Sequence, residues 1–326
     1  MLFRSPTFGA YQHEIEDGIK VIRAGLDVAA KGQLVLHSNQ IETKNDGTPV
    51  SICDFACQMV IMNGLNKYFP GDQIFAEENL NHEACFIEEA KKLLPGEYDI
   101  QEICKKLSSK LNDGRVWVVD PIDGTAGFIR GGNFAVSMAL LVDKKVVASV
   151  VGWSKHSEEY TGIKVEGPVI FVSAIGHGAF AVDKDDNFIK LENKHNAKNI
   201  ITFSQNTKPR EDNIIEAIKK KMNIKGELRM HSMTKGFVLA AGGANSYLRI
   251  RCSGDEWVWD IAPFELLVRE AGGFSTTWDG KEIAYTSEGK CYNSNGGLIF
   301  SFVDEEFHKK LLKAYMEEKI DRKSVV

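Results

Sequence analysis

Two carboxylates stand at offset three in Asp120-Pro121-Ile122-Asp123-Gly124-Thr125, at the end of an apolar run from Val116 to Val119. The run reads as a buried strand, and Pro121 fixes the backbone between the acids. Carboxylates forced together at a strand end repel each other unless positive charge sits between them. A hard divalent cation answers that need, because Mg²⁺ and Ca²⁺ take carboxylate and carbonyl oxygens. The duller reading is a turn that merely uses Asp, Pro and Gly.

Further polar residues lie at element boundaries. Asp54 falls in the first turn of a helix expected over 52–68, where a carboxylate complements the helix dipole; alone it reads as a helix-start residue. Glu77 and Glu78 follow a short strand expected at 74–76, and such pairs are common on surfaces. Asp260 is expected to begin a helix that Gly272 ends, with Pro263 in its first turn; alone it reads as an N-cap. Ser232 is the expected N-cap of a helix over 236–241, with Lys235 just before that helix. Arg249, on a strand beginning at Tyr247, reads by itself as the partner of a core acid. Lys44 lies in a polar loop with a turn at Asp46-Gly47 and reads by itself as solvated.

The elements that must position these groups follow from periodicity. Ile15, Ile19, Ile22, Leu26 and Ala29 share one face of a helix expected from about Tyr11 to Ala30 and stopped by Gly32. The segment of about 82–113 reads as an insertion with two helical stretches, either a lid or a solvated ornament. Strands are expected at 133–142, 145–153, 169–172, 179–182, 200–203 and 298–302. Helices are expected at 211–222 and 305–316, before a polar, mobile tail over 317–326. Alternating strands and helices suggest an α/β layer, divided near residue 160 into subdomains 1–160 and 161–326. At 326 residues and 43% hydrophobic composition, the chain can bury a large core. A net charge of −5 argues against a broad nucleic-acid surface. No apolar run approaches the ~18 residues that span a bilayer, and Met1–Tyr11 lacks a signal-peptide plan, so the expected location is cytoplasmic, with no membrane partner. The six cysteines are scattered without a C-x-x-C pair, against a zinc site or disulfide framework.

The segment 120–125, followed by Gly127-Phe128-Ile129-Arg130-Gly131, resembles the metal motif of the lithium-sensitive, Mg²⁺-dependent phosphomonoesterases. That superfamily includes inositol monophosphatase, fructose-1,6-bisphosphatase, inositol polyphosphate 1-phosphatase and the 3'(2'),5'-bisphosphate nucleotidases. The Gly-Phe-Ile-Arg-Gly text looks most like the nucleotidase branch, as do Thr43-Lys-Asn-Asp46, the insertion and Ser232-x-x-Lys235. Trp259-Asp260, a helix and Glu270-Ala-Gly-Gly273 resemble the second superfamily signature, and Ala76-Glu-Glu-Asn79 resembles its Gly-Glu-Glu-Ser. Departures are Ala126 in place of a usual lysine, no His after Asp260, and no His within 204–207.

The resemblance implies an αβαβα sandwich of alternating helix and sheet layers. It implies two or three Mg²⁺ ions: one at Glu77, Asp120 and the Ile122 carbonyl, a second at Asp120, Asp123 and Asp260, and a weaker third sharing Glu77. Asp54 and Thr125 would activate water, the N–H groups of Gly124 and Thr125 would hold phosphate, and Ser232, Lys235 and Arg249 would contact a nucleotide. The implied reaction is hydrolysis of 3'-phosphoadenosine 5'-phosphate to AMP and phosphate, with 3'-phosphoadenosine 5'-phosphosulfate as a second substrate, by a lithium-sensitive monomer. Inositol polyphosphate 1-phosphatase or inositol monophosphatase activity is the alternative. A catalytically silent ligand-binding relative is the reading from a different class, and the intact acids speak against it.

Overall fold

In the computed structural model, residues 6–80, 84–192, 198–250 and 254–321 are described. The chain opens with helix α1 (Gln12–Val35), then a short hairpin of strands β1 (Ile41–Thr43) and β2 (Pro49–Ser51). Next come helix α2 (Ile52–Tyr68), strand β3 (Gln73–Ala76), helices α3 (Ala84–Lys91) and α4 (Ile100–Cys104), and strand β4 (Arg115–Asp123). The single turn α5 (Thr125–Phe128) leads to strands β5 (Ala135–Val142) and β6 (Lys145–Trp153), and the turn α6 (Glu158–Thr161) to β7 (Val169–Ala174), β8 (Gly178–Val182) and β9 (Phe188–Leu191). Strand β10 (Ile200–Ser204), helix α7 (Pro209–Met222), β11 (Gly226–Met230), helix α8 (Thr234–Ala240) and β12 (Ser246–Arg249) follow. Helix α9 (Val258–Glu270), β13 (Phe274–Thr277), β14 (Leu298–Ser301) and helix α10 (Glu305–Asp321) close the chain.

Strands β3 to β9 form a seven-stranded sheet in sequence order, and β11-β10-β12-β14-β13 form a five-stranded sheet. Two core clusters cover the faces of the larger sheet. Even-numbered β4 residues, Val116 and Val118, pack with Phe237 of α8 and Phe264 of α9. Odd-numbered Trp117 and Val119 pack with α1 and α2. The smaller sheet sends Tyr247 and Phe300 to α8 and α9, and Leu248 and Ile299 to α7 and α10. This alternation of period two stacks α1/α2, sheet, α8/α9, sheet and α7/α10, the expected αβαβα sandwich.

Several boundaries differ from expectation. Gly32 does not stop α1, which runs to Val35. A Cβ at Gly32 would lie 2.6 Å from Cys53 Sγ, so the glycine permits close packing of α1 on α2. Pro263 sits inside α9, beyond its first turn. Residues 317–321 of the expected mobile tail belong to α10, and 322–326 lie outside the described residues. The insertion forms α3 and α4, both packed on α2. The division at residue 160 falls at α6, inside the run of the larger sheet, whereas the change of sheet comes between Leu191 and Ile200. Among the described residues, Cys53, Cys57, Cys104 and Cys291 are free thiols, and no helix is long and apolar enough to cross a membrane.

Candidate active site

The acid cluster is built by a fault in strand pairing. On a regular strand, residues at offset three face opposite sides. Here Asp120 pairs Ser137 and Asp123 pairs Ala135, so three steps of β4 oppose two of β5 and the register shifts between them. Such a bulge flips the parity of the residues beyond it. Pro121, which has no N–H to donate, falls within the irregularity. Both acids therefore face the α8/α9 side, where α9 delivers Asp260 in its first turn. One oxygen from each of Asp120, Asp123 and Asp260 lies within 4.8 Å of the other two.

Four helices begin at this cluster. Asp54 is in the first turn of α2, Thr125 opens α5, Lys235 lies early in α8, and Asp260 lies early in α9. Ser51 holds Asp54: its N–H and hydroxyl donate to Oδ2 at 2.8 and 2.7 Å. That leaves Oδ1 facing the Thr125 hydroxyl at 3.2 Å, and the Ile122 carbonyl is another acceptor for this hydroxyl at 3.0 Å. Gly124 has φ +93, and a Cβ there would stand 3.0 Å from Ser232 Cβ. The first N–H groups of a helix have no acceptor within it, and they favour anions.

Ser232 is not the residue at the helix boundary, because α8 starts at Thr234 and Met233 precedes it. Ser232 has φ +61, and its Oγ accepts from the Thr234 N–H at 3.2 Å. Lys235, expected before the helix, is inside it and 4% exposed. Its Nζ donates to the Met230 carbonyl at 3.2 Å and to the Ser232 carbonyl. Burial pushes its pKa down to about 7, with Asp123 opposing and Arg249 adding to the fall. The Met233 N–H donates to Asp123 Oδ2. Arg249 does pair a core acid: Nη2 donates to Glu256 at 2.8 Å and lies 3.6 Å from Asp260. Glu256, 2% exposed, carries no signal in the sequence that separates it from an ordinary surface acid.

Glu77 and Glu78 are not a solvated pair, nor is Lys44 a solvated lysine. Lys44 Nζ bridges them at 2.8 and 2.6 Å. Burial opposes the charged ammonium, but the two carboxylates outweigh it and hold its pKa above the ordinary lysine value. Glu78 is pushed up to about 8 by burial, then by Glu77, with Lys44 opposing.

The remaining acids strain against one another. Burial raises Asp54 to about 6, with the Ser51 hydrogen bonds opposing. It raises Asp260 to about 7, opposed by Arg249. Asp120 rises well above the carboxylate range through burial and then Glu77, Asp123 and Asp260. Its Oδ1 is buried without a hydrogen-bond partner among the described residues. An all-oxygen donor set with an orphaned carboxylate oxygen fits a hard divalent cation.

Beside the cluster lies a cavity of about 380 Å³. Asp123, Ser232, Lys235 and Arg249 line it, with Ile215, Leu248 and Ile250 as apolar wall. Ser204, Asn206 and Thr207 line the stretch where no His is present.

A model of the inositol monophosphatase family matches residues 12–319. A 3'(2'),5'-bisphosphate nucleotidase 2 of Candida albicans is 30% identical over 308 residues, covering 81% of this chain and 86% of that protein. A 3'(2'),5'-bisphosphate nucleotidase of Schizosaccharomyces pombe is 28% identical over 295 residues, covering 80% and 82%. An IMPase structure from Thermotoga maritima superposes with a TM-score of 0.66 at 21% identity, covering 95% of this chain and 98% of that one.

Proposed function

The chain belongs to the inositol monophosphatase family, and from that premise we propose that it is a Mg²⁺-dependent 3'(2'),5'-bisphosphate nucleotidase. It hydrolyses 3'-phosphoadenosine 5'-phosphate to AMP and phosphate, with 3'-phosphoadenosine 5'-phosphosulfate as a second substrate. The observation that carries this reading is the triad of Asp120, Asp123 and Asp260 opening beside a cavity that Lys235, Arg249 and the apolar Ile215, Leu248 and Ile250 help to line. A nucleotide offers a flat base face as well as phosphates, and Ile215, Leu248 and Ile250 suit the base better than they suit an inositol ring.

Asp120, Asp123 and Asp260, with Glu77 and the Ile122 carbonyl, would hold two or three Mg²⁺ ions. When bound, such ions neutralise phosphate and leaving-oxygen charge and acidify water. The chain's own residues do the rest. Thr125, its hydroxyl facing Asp54, takes a proton from the attacking water and passes it on to the carboxylate. Ser51 keeps that carboxylate aimed. The N–H groups of Gly124 and Thr125 orient the phosphate oxygens at the start of α5. Ser232, Lys235 and Arg249 face the cavity and hold the phosphate that is not cleaved. Further proposals are lithium inhibition, a role in sulfur metabolism, and a monomeric cytoplasmic enzyme acting on small molecules.

Phosphate release from the bisphosphate nucleotide, inositol 1,4-bisphosphate and inositol 1-phosphate tests the reading, each with Mg²⁺, with EDTA and with lithium. The nucleotide should be the best substrate, with activity lost in EDTA. A clear preference for either inositol phosphate would reassign the cavity, and EDTA-resistant turnover would remove the metal.

A further inference from the structure

The β1–β2 hairpin brings an ammonium group into contact with the acid cluster. Lys44 Nζ lies 2.8 Å from Oε1 of Glu77 and 2.6 Å from Oε1 of Glu78. The two carboxylates differ in freedom. Glu78 is 4% exposed, and the Gln58 side chain engages both its N–H, at 2.9 Å, and its carbonyl, at 2.7 Å. Glu77 has a more exposed side chain and adjoins Asp120. Lys44 thus has one fixed anchor and one partner that can be taken from it.

A divalent cation on Glu77 would meet the ammonium at like charge in a half-buried place, where repulsion is weakly screened. The anchor at Glu78 lets the lysine withdraw without losing all compensation. The hairpin has room for that movement: residues 45–48 are exposed, and nothing lies within 4 Å of where a Cβ on Gly47 would sit. Its second strand ends at Ser51, which holds Asp54, so the same hairpin carries both the lysine and the support of the proton acceptor.

We propose that Lys44 is a tethered counter-ion, a positioning residue that holds Glu77 until a divalent cation takes that carboxylate and then retires to Glu78, thereby setting the affinity of the cations that use Glu77. This rests on the reading of the acid cluster as a metal site. It differs from a merely structural ion pair because it makes cation affinity depend on Lys44 through Glu77 alone.

Calorimetric titration of Mg²⁺ or Ca²⁺ into EDTA-stripped, dialysed protein tests it. The proteins are wild type, Lys44→Met and Lys44→Arg, and the first two again carrying Glu77→Gln. Lys44→Met should tighten the apparent Kd roughly three- to tenfold, the range of a partly buried ion pair. Lys44→Arg, which keeps the charge, should stay near wild type. In the Glu77→Gln background, Lys44→Met should change Kd less than about twofold, since the partner it acts through is gone. An unchanged or weakened Kd in Lys44→Met overturns the proposal, as does equal tightening in both backgrounds, which would be the plain loss of a positive charge. Wild-type protein that binds no cation saturably would remove the metal reading itself, and this inference with it. Metal-free melting curves establish that each variant folds, with Lys44→Gln replacing a Lys44→Met that does not.

Discussion

The Thr125 hydroxyl lies 3.2 Å from Oδ1 of Asp54, and Ser51 holds the other oxygen of that carboxylate from two donors. Serine and aspartate three residues apart form a capping box at the start of α2. The box leaves one carboxylate oxygen free to face α5. A helix-start residue and the proposed proton acceptor are therefore the same side chain.

Removing either partner should stop the proposed proton relay without unfolding the sandwich. Thr125→Val and Asp54→Asn are each expected to lower kcat by about 10²- to 10⁴-fold, the usual range for a lost acid–base group. Thr125→Ser should retain most of the rate. Steady-state kinetics on purified, cooperatively melting variants decides it, and a Thr125→Val enzyme at wild-type kcat would dismiss the relay.

The acid triad trades stability for chemistry. Asp120 is buried among like charges, so its ionised form costs folding energy that a ligand must offset; desolvation raises Asp123 as well, but Lys235, the Met233 N–H and Arg249 oppose that rise. Asp120→Asn should lower turnover by several orders of magnitude. In EDTA it should melt no lower than wild type, and by a few degrees higher where relief of repulsion is felt. A variant that loses activity only because it loses a cooperative melt would contradict this assignment.

Much of this was legible from residue order because it is local. The segment 120–125 is contiguous, and α2 spans Ile52–Tyr68 as its pattern predicts. Alternating strands and helices reached only an α/β layer, and the full layer order came with the family resemblance. The features that stayed hidden depend on contacts between distant segments. The parity flip that turns Asp123 toward Asp260 exists only in the pairing of β4 with β5. Lys44 looks solvated until β3 places Glu77 and Glu78 beside it. Gly32 looks like a helix stop because its reason for being glycine, Cys53 Sγ, belongs to another helix. The extra turn it permits brings Gln33 to the carbonyls of Phe128 and Gly132, at 2.9 and 3.0 Å, behind the motif.

Gly124 gives a separate test of the proposed phosphate-binding turn. Its φ of +93 is costly for any L side chain, and an added methyl would press on Ser232 Cβ. Gly124→Ala is expected to cost about 1–3 kcal/mol in stability and to raise KM by displacing both the turn and Ser232. Denaturant melts and initial-rate kinetics measure the two effects. An alanine variant with wild-type stability and KM would show that this backbone is not constrained as described.

The pH dependence of the metal-free protein follows from the direction of the shifts. Asp54 at about 6, Asp260 at about 7 and Glu78 at about 8 all lie above the unfolded values of 3.8 and 4.5. Above those unfolded values the folded chain keeps protons that the unfolded chain has lost. The associated stability is full below about pH 4 and is lost as pH rises through 6 to 8. Lys235, lowered from 10.5 to about 7, acts with the opposite sign. Its contribution is present above the unfolded value and falls away as pH drops toward 7. Three acids against one base predict that the melting temperature in EDTA declines from pH 5 to pH 8. Divalent cations would replace protons on the proposed ligands Asp120 and Asp260, both raised, so the rise in melting temperature on adding Mg²⁺ should grow over the same interval. Calorimetric scans at pH 5, 6, 7 and 8, with EDTA and with saturating Mg²⁺, measure both trends. A metal-free protein that gains stability toward pH 8, or a Mg²⁺ increment independent of pH, would mean that these acids are already ionised at pH 5 and that their crowding costs the fold nothing.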